Sequence, residues 1–262
     1  MLRSWVSRPL VKNQSLSADM KPIRIVCGTR VSQQDFSTKT ALGRSLLIHE
    51  AANPLDVMLF AENTHGLSTI YNRAIDEAKE DPAILVFVHD DVHLCDFSWS
   101  ERIREAVEAF DIVGLAGNTR RVEGQPAWAF IDDRFTWDQR CYLSGIVGHG
   151  KSFPCAVSNF GPVPQACKLL DGLLLAADSE RLLQADVRFD EQFEFHFYDM
   201  DFCRSAERKG LSMGTWPLSV VHESGGAFGT PAWRESYRRY QNKYAEESDR
   251  KTSEARAVDG LC

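Results

Sequence analysis

Four short apolar runs in the first half of the chain have the β-branched and aromatic content of strands in a buried parallel sheet. They are residues 23–27, 56–60, 84–88 and 112–116. Between them, apolar residues recur at the spacing of amphipathic helices. These helical stretches are residues 42–47, 66–80 and 99–110. The alternation predicts a doubly wound α/β sheet whose parallel strands are joined by right-handed crossovers.

The second half of the chain is less regular. Residues 117–168 lose the periodic pattern among glycines, prolines and aromatic residues, which predicts loops and a hairpin over the edge of the sheet. Apolar runs predict two further strands, at residues 169–177 and 211–221. Helices are expected to begin at Asp178, Asp199 and Pro231. Asp199 would cap its helix.

The length of 262 residues supports one α/β domain. We expect it at residues 23–244, between flexible tails at 1–22 and 245–262, because the periodic apolar pattern stops at both boundaries. An aromatic stripe near the end of the domain indicates core packing. It consists of Trp233, Tyr237, Tyr240 and Tyr244.

The composition excludes several classes of function. A net charge of −7 and a pI near 5.5 argue against a general nucleic-acid binder. The seven cysteines contain no Cys-x-x-Cys pair, which fits reduced cytosolic thiols better than disulfides or a zinc site. No apolar run approaches the length of a transmembrane helix, so a cytoplasmic protein is expected. Basic residues at the start (Arg3, Arg8 and Lys12) leave a transit peptide or peripheral contact with the inner face of a membrane open.

Polar residues with metal-binding side chains follow the run at 84–88 directly. They are His89, Asp90, Asp91 and His93. Because ligands bind at the carboxyl ends of strands in open α/β sheets, this position favours a divalent cation held against substrate phosphates. The alternative is a solvated turn in which Asp90 caps the next helix.

Further candidates lie at other predicted element ends. Arg30 follows the first strand, where Gly28 lets a ligand approach the backbone, and Asp171 would carry a carboxylate into a pocket. This inventory suits a reaction in which a sugar leaves a nucleoside diphosphate, with a metal neutralising the diphosphate. Asp199 would then take the proton of the attacking hydroxyl, unless it only caps its helix. Trp128 and Trp137 are candidates for contact with a sugar.

Several motifs stand in a fixed order along the chain. They are Leu-Ser-Thr-Ile-Tyr-Asn-Arg-Ala-Ile from residue 67, Phe-Val-His-Asp-Asp-Val from 87, Leu-Asp-Gly from 170, Phe-Asp-Glu from 189, Phe-His-Phe-Tyr-Asp-Met-Asp-Phe-Cys from 195, Val-His-Glu-Ser-Gly-Gly from 221 and Lys-Tyr at 243. In this order they resemble the family 2-like glycosyltransferases of GT-A fold, in particular a bacterial branch with a His-x-Asp-Val motif. The resemblance spans residues 23–244.

The resemblance implies an α/β fold of GT-A type, with a mostly parallel central sheet flanked by helices. Residues 23–117 would form a Rossmann-like half that binds the nucleotide sugar, and residues 118–244 the acceptor and catalytic half.

The resemblance also implies roles for single residues. Asp91 matches the last acid of the metal-binding Asp-x-Asp motif, and His222 matches the late histidine that binds the metal. Asp199 matches the acid proposed as the base in inverting members. Glu62 lies near the acid that contacts the nucleotide, and Asn72 lies in the Tyr-Asn-Arg turn.

His89 is a departure from the family pattern, because many relatives have aspartate there. We predict it as a third metal ligand, and since imidazole suits Mn²⁺ better than Mg²⁺, the departure bears on which of the two ions is the cofactor. Arg30, Asp90 and Asp171 complete the residues predicted to bind the donor.

The leading hypothesis is an inverting, metal-dependent glycosyltransferase of the hexosyltransferase type. It would move a sugar from a nucleotide-diphosphate donor, preferably a UDP-sugar, to a glycan, a lipid-linked glycan or another hydroxyl acceptor. Two alternatives stay open: a metal-dependent phosphoesterase, and a non-catalytic module that binds nucleotide sugars or glycans.

The lack of periodic apolar pattern before residue 23 generates a first prediction. A chain that starts at Met20 should keep the melting temperature and the donor affinity of the full chain, because residues 1–19 are not expected to pack on the domain. Thermal unfolding and donor titration of both chains provide the test. A melting temperature lower by more than about 4 °C would contradict the prediction, since that corresponds to roughly 1 kcal/mol or more of lost stability.

Overall fold

The computed structural model describes residues 20–50, 55–151 and 154–259, with side chains as far as residue 245. Its first half contains β1 (Ile23–Gly28), α1 (Gln33–Lys39), α2 (Ala41–Glu50), β2 (Asp56–Phe60), α3 (Leu67–Glu77), β3 (Ile84–Val88), β4 (Val92–Leu94), α4 (Trp99–Ala109), β5 (Ile112–Gly114) and β6 (Ala116–Asn118). Its second half contains a 3₁₀ turn (Arg140–Tyr142), β7 (Leu143–His149), β8 (Ala156–Gly161), β9 (Gln165–Ala166), β10 (Leu169–Leu170), β11 (Leu174–Asp178), α5 (Ser179–Gln184), α6 (Tyr198–Arg208), β12 (Met213–Thr215), β13 (Val220–His222) and α7 (Pro231–Asp259).

Seven strands form the central sheet, in the order β2-β1-β3-β11-β5-β12-β9. Strands β2, β1, β3, β5 and β12 run in one direction, and β11 and β9 run against them. β3 lies inside this sheet and all five of its residues are buried, as its uninterrupted apolar run predicts. The prediction of a mostly parallel sheet is therefore confirmed, with β11 as an antiparallel insertion.

A second sheet has the strand order β10-β6-β7-β13-β4, with β8 added beside β7. Much of it comes from residues 117–168, for which only loops and a hairpin were predicted. The β7–β8 hairpin is present, but its register shifts between Gly145 and Ile146. Gly145 has φ of 127°, a conformation that favours glycine. Such irregular pairing hides the alternation of residues on which strand prediction depends.

Three runs predicted as single strands are each divided between the two sheets, so these predictions were wrong in extent. Residues 112–116 belong to β5 and β6, residues 169–177 to β10 and β11, and residues 211–221 to β12 and β13. The physical reason is burial. Both strands of each pair are largely buried, so the apolar run continues across the break.

Packing at the N-terminal side begins before the predicted boundary at residue 23. The Nζ of Lys21 donates to Asp178 Oδ2 at 2.6 Å, and the carbonyl oxygen of Pro22 accepts the N–H of Ile84 at 2.8 Å. Two residues of the predicted tail therefore contact the domain. Residues 1–19, the rest of that tail, lie outside the described residues.

The aromatic stripe of α7 packs as predicted. Trp233, Tyr240 and Tyr244 are buried, and the ring of Phe197 lies 5.3 Å from that of Trp233 and 5.2 Å from that of Tyr240. α7 continues past the predicted boundary at residue 244 to Asp259. Within the part of the chain that the structure describes, no helix is both long and apolar enough to span a membrane.

Candidate active site

A cavity of about 500 Å³ lies where the two sheets meet. Its lining includes residues predicted for metal binding, donor binding and catalysis, namely His89, Asp91, Asp171, Asp199 and His222. Trp128 and Trp137, predicted to contact a sugar, line it as well. The sequence had placed these residues on five separate segments, and the fold brings them together.

The metal-ligand candidates meet because the chain passes from β3 into β4 within three residues. His89 and Asp91 lie in that passage, and β13 pairs with β4 so that His222 stands opposite Val92. The Nε2 of His222 lies 3.3 Å from Asp91 Oδ2. One ligand atom each from His89, Asp91 and His222 lies within 4.8 Å of the others.

The residues present fit a divalent cation. Asp91 Oδ1 is buried and has no hydrogen-bond partner among the described residues, which is costly unless something else binds it. Two imidazoles and one carboxylate suit a divalent transition metal, whereas Mg²⁺ prefers oxygen ligands. This cluster could therefore hold a metal ion through His89, Asp91 and His222.

The protonation states of Asp91 and His89 also suit a cation. Burial alone would raise the pKa of Asp91, but the hydrogen bond and charge of His222 hold the pKa at about 2. Burial lowers the pKa of His89, so that ring is neutral at pH 7. Burial also opposes the charge on His222, but Asp91 outweighs it and raises the pKa of His222. A cation would compete with that proton.

Two further acidic residues, Asp171 and Asp199, line the same cavity. Asp171 Oδ2 accepts the indole N–H of Trp128 at 2.6 Å, and Asp199 Oδ2 accepts the backbone N–H of Gly172 at 3.0 Å. Burial, and next the charge of Asp171, raise the pKa of Asp199 to about 7, although backbone N–H groups of Met200 and Gly172 oppose the shift. Asp199 is therefore a carboxyl group able to exchange a proton near neutral pH.

Asp199 does not cap its helix, so that expectation was wrong. Phe197, with φ of 68°, is the N-cap of α6, and Asp199 lies in the first turn. The other acid of this turn, Asp201, is 1% exposed and faces away from the cavity, toward α7. Its Oδ1 accepts hydrogen bonds from Lys243 Nζ and Tyr244 Oη, both at 2.6 Å. Lys243 is thus the basic partner of Asp201.

Two predicted donor-binding residues are not among those that line the cavity, and they lie on loops at the ends of β1 and β3. Arg30 is exposed, and its Nη1 donates to the carbonyl oxygen of Asn63 at 2.8 Å. Asp90 Oδ2 accepts the hydroxyl of Thr29 at 2.5 Å, which joins the loop after β1 to the turn after β3. Their roles in donor binding stay predictions.

Glu62 and Asn72 are also outside the cavity lining. Glu62 is exposed, has φ of 48° and follows β2. The side-chain amide of Asn72 is paired in both directions with the backbone of Phe189, at 2.9 Å as donor and 3.0 Å as acceptor. This pairing gives Asn72 a structural role in joining α3 to the segment before α6, and contact with a nucleotide stays a prediction.

Sequence reasoning missed other residues of the cavity. His149 ends β7 and stands in register with His222 on the neighbouring strand β13, and His196 lines the cavity just before α6. Burial lowers the pKa of both histidines. No local pattern marks His149, because it approaches His222 only through the pairing of β7 with β13. His196 lies within the motif that begins at residue 195, and that motif was the one signal that could have indicated it.

Residues 54–244 match the model of a family described as "Glycosyltransferase like family". The match covers more than half of the chain, and the protein belongs to this family. This family membership makes the protein a glycosyltransferase, and the predicted α/β fold of GT-A type is confirmed.

Solved structures show distant similarity. The chain is 12% identical to A197 from STIV, with a TM-score of 0.46 over 78% of this chain and 86% of that one. It is 9% identical to the catalytic domain of Drosophila β1,4-galactosyltransferase 7 in complex with xylobiose, with a TM-score of 0.47 over 84% and 80%. It is 11% identical to Staphylococcus aureus TarS 1–349, with a TM-score of 0.44 over 77% and 60%. No curated protein matches the sequence.

The raised pKa of Asp199 generates a prediction about stability in the metal-free protein. Because the folded-state pKa of about 7 exceeds the ordinary value of 3.8, the proton stabilises the fold fully below pH 3.8, and this contribution is lost as pH rises to 7. Asp199→Asn removes the titration. Relative to wild type, the variant should gain about 4 kcal/mol between pH 4 and pH 8, measured by urea unfolding.

Asp138→Asn provides the control for this series. Burial opposes ionisation of Asp138, but Arg120 and Asn118 outweigh burial and lower its pKa. Its ionised form therefore contributes stability that is already nearly complete at pH 4, so the variant should be less stable than wild type by a nearly constant amount between pH 4 and pH 8. Equal pH trends for the two variants would contradict the assignment of a raised pKa to Asp199.

Proposed function

We propose that this glycosyltransferase is an inverting, metal-dependent hexosyltransferase that uses a nucleotide-diphosphate sugar, preferably a UDP-sugar. The acceptor would be a hydroxyl group of a glycan or lipid-linked glycan. The observation that carries the proposal is the meeting, in one cavity, of a cation-binding cluster and a carboxyl group with a pKa near 7. A sugar transfer needs both, one for the leaving diphosphate and one for the attacking hydroxyl.

The chain's own residues would divide the chemistry between them. His89, Asp91 and His222 would hold a divalent cation, which supplies positive charge to the leaving diphosphate. Asp199 would accept the proton of the acceptor hydroxyl as that oxygen attacks the anomeric carbon. The hydrogen bond from the N–H of Gly172 orients its carboxylate while leaving lone pairs for the proton.

The apolar wall of the cavity supports a glycan as the acceptor. Trp137 is 55% exposed, and its ring is stacked on that of Phe160 with an interplanar angle of 20°. Trp128 contacts the same phenyl ring edge-on. Flat aromatic faces beside a few polar groups are typical of a site that packs against an apolar ligand face while fixing its orientation, and the C–H face of a sugar ring presents such a surface.

A phosphoesterase is less well supported. Phosphatases commonly use two metal ions, and the described residues offer one cluster of histidine and acid that could hold an ion. The non-catalytic alternative gives no reason for a buried carboxyl group beside a second carboxylate, an arrangement that costs stability at neutral pH.

Donor binding should depend on the cation cluster. Asp91→Ala and His222→Ala should each weaken binding of UDP in Mn²⁺ by at least about tenfold, because these residues would hold the ion that supplies positive charge to the diphosphate. The double variant should be little worse than either single one, since each change disables the same ion. Calorimetric titration measures this, and with a chelator all four proteins should bind equally weakly. Unchanged affinity of chelator-treated wild type would contradict the metal dependence.

Transfer should depend on Asp199 and not on Asp201. Asp199→Asn keeps the shape of the side chain but cannot accept the proton, so at saturating donor the transfer rate should fall by roughly 100-fold or more. Asp201→Asn, the matched control in the same helical turn, should keep most of the rate and lose stability through its contacts with Lys243 and Tyr244. The reverse order of rates would assign the base to Asp201.

A further inference from the structure

Gly172 lies in the turn between β10 and β11. Both its carbonyl oxygen and its N–H group form hydrogen bonds with side chains in the first turn of α6. The hydroxyl of Tyr198 donates to the carbonyl oxygen of Gly172 at 2.7 Å, and the N–H of Gly172 donates to Asp199 Oδ2 at 3.0 Å. A Cβ atom at position 172 would lie 2.2 Å from Tyr198 Oη and 3.0 Å from Asp199 Cβ. The close contact therefore requires glycine.

The same hydroxyl reaches the cation cluster. Tyr198 Oη lies 2.7 Å from Nε2 of His89. A phenol has one hydrogen, and a carbonyl oxygen can only accept. Since the hydrogen of Tyr198 goes to Gly172, Nε2 of His89 must be the donor to Tyr198. Neutral His89 then carries its proton on Nε2, and Nδ1 keeps the free lone pair.

We propose that Tyr198 is a positioning residue of the cation site. It fixes His89 in the tautomer whose Nδ1 binds the metal, and through Gly172 it joins that ligand to Asp199. The inference rests on the proposed metal dependence. Outer partners of this kind set the orientation and basicity of a histidine ligand, and their loss weakens metal binding.

A purely structural role for Tyr198 is the competing explanation. Its ring is 2% exposed and lies 5.9 Å from that of Tyr71 and 6.0 Å from that of Phe189. Tyr198→Phe keeps this aromatic packing and removes only the hydroxyl. A structural role predicts a change in stability alone, whereas a positioning role predicts a change in metal affinity and in the protonated nitrogen of His89.

The first experiment measures Mn²⁺ affinity of the metal-free protein by calorimetry or by the electron paramagnetic resonance of free Mn²⁺. Tyr198→Phe should bind Mn²⁺ about 10- to 100-fold more weakly than wild type. Tyr237→Phe is the matched control, because it also removes a tyrosine hydroxyl that donates to a glycine carbonyl, that of Gly124 at 2.6 Å, outside the cation cluster. Its Mn²⁺ affinity should equal that of wild type. Equal affinities for all three proteins would overturn the proposal.

The second experiment reads the tautomer without any metal. Imidazole ¹⁵N spectra of the metal-free wild type should show His89 with its proton on Nε2, and Tyr198→Phe should show a mixture of tautomers. A proton on Nδ1 in wild type would overturn the proposal, even if the variant failed to fold. If wild type binds no Mn²⁺ while His89 shows the expected tautomer, the proposed metal dependence fails, and the hydrogen-bond assignment from Gly172 to His89 stands.

Discussion

Four of the places at which the chain passes from one sheet to the other interrupt the strand ladders within a few residues and lie close to one another. The crossings join β3 to β4, β5 to β6, β10 to β11 and β12 to β13. Backbone groups freed there must find partners, and they find them in one another. Three backbone hydrogen bonds connect the crossings: His89 N to Leu173 O, Asp171 N to Ala116 O and Trp216 N to Gly114 O. These four crossings, with the hydrogen bonds between them, are called the seam. The polar side chains of the crossings lie close together there.

The first half of the fold could be predicted from the sequence because each of its helices and strands has a recognisable pattern within its own segment. Helices such as α3 repeat apolar residues along one face, and parallel strands such as β3 are buried on both faces, so each element has its own pattern. The second half could not be predicted in this way, because its strands are short and pair with distant ones. A strand that leaves one buried sheet for another stays apolar throughout, and only residues such as Asp171 and Gly172 interrupt it.

The candidate site shows the same limit. Asp91 and His222 could be predicted because a polar residue at the end of an apolar strand is unusual in its own segment, and both line the cavity. His149 could not be predicted, because only the pairing of β7 with β13 places it beside His222. Asn72 shows the converse case. Its segment suggested a ligand contact, but an amide satisfies the backbone of Phe189 equally well, and the local sequence does not distinguish the two partners.

The seam also explains how one cavity can hold carboxyl groups in different protonation states. Burial acts in the same direction on Asp91 and Asp199, raising both pKa values, yet Asp91 has a pKa of about 2 and Asp199 of about 7. The difference lies in their neighbours. β13 brings His222 to Asp91, while α6 brings Asp199 to a second carboxylate, that of Asp171. Asp91 is therefore ionised at neutral pH and can bind a cation, and Asp199 can exchange a proton there, because the crossings gave each acid a partner of different charge.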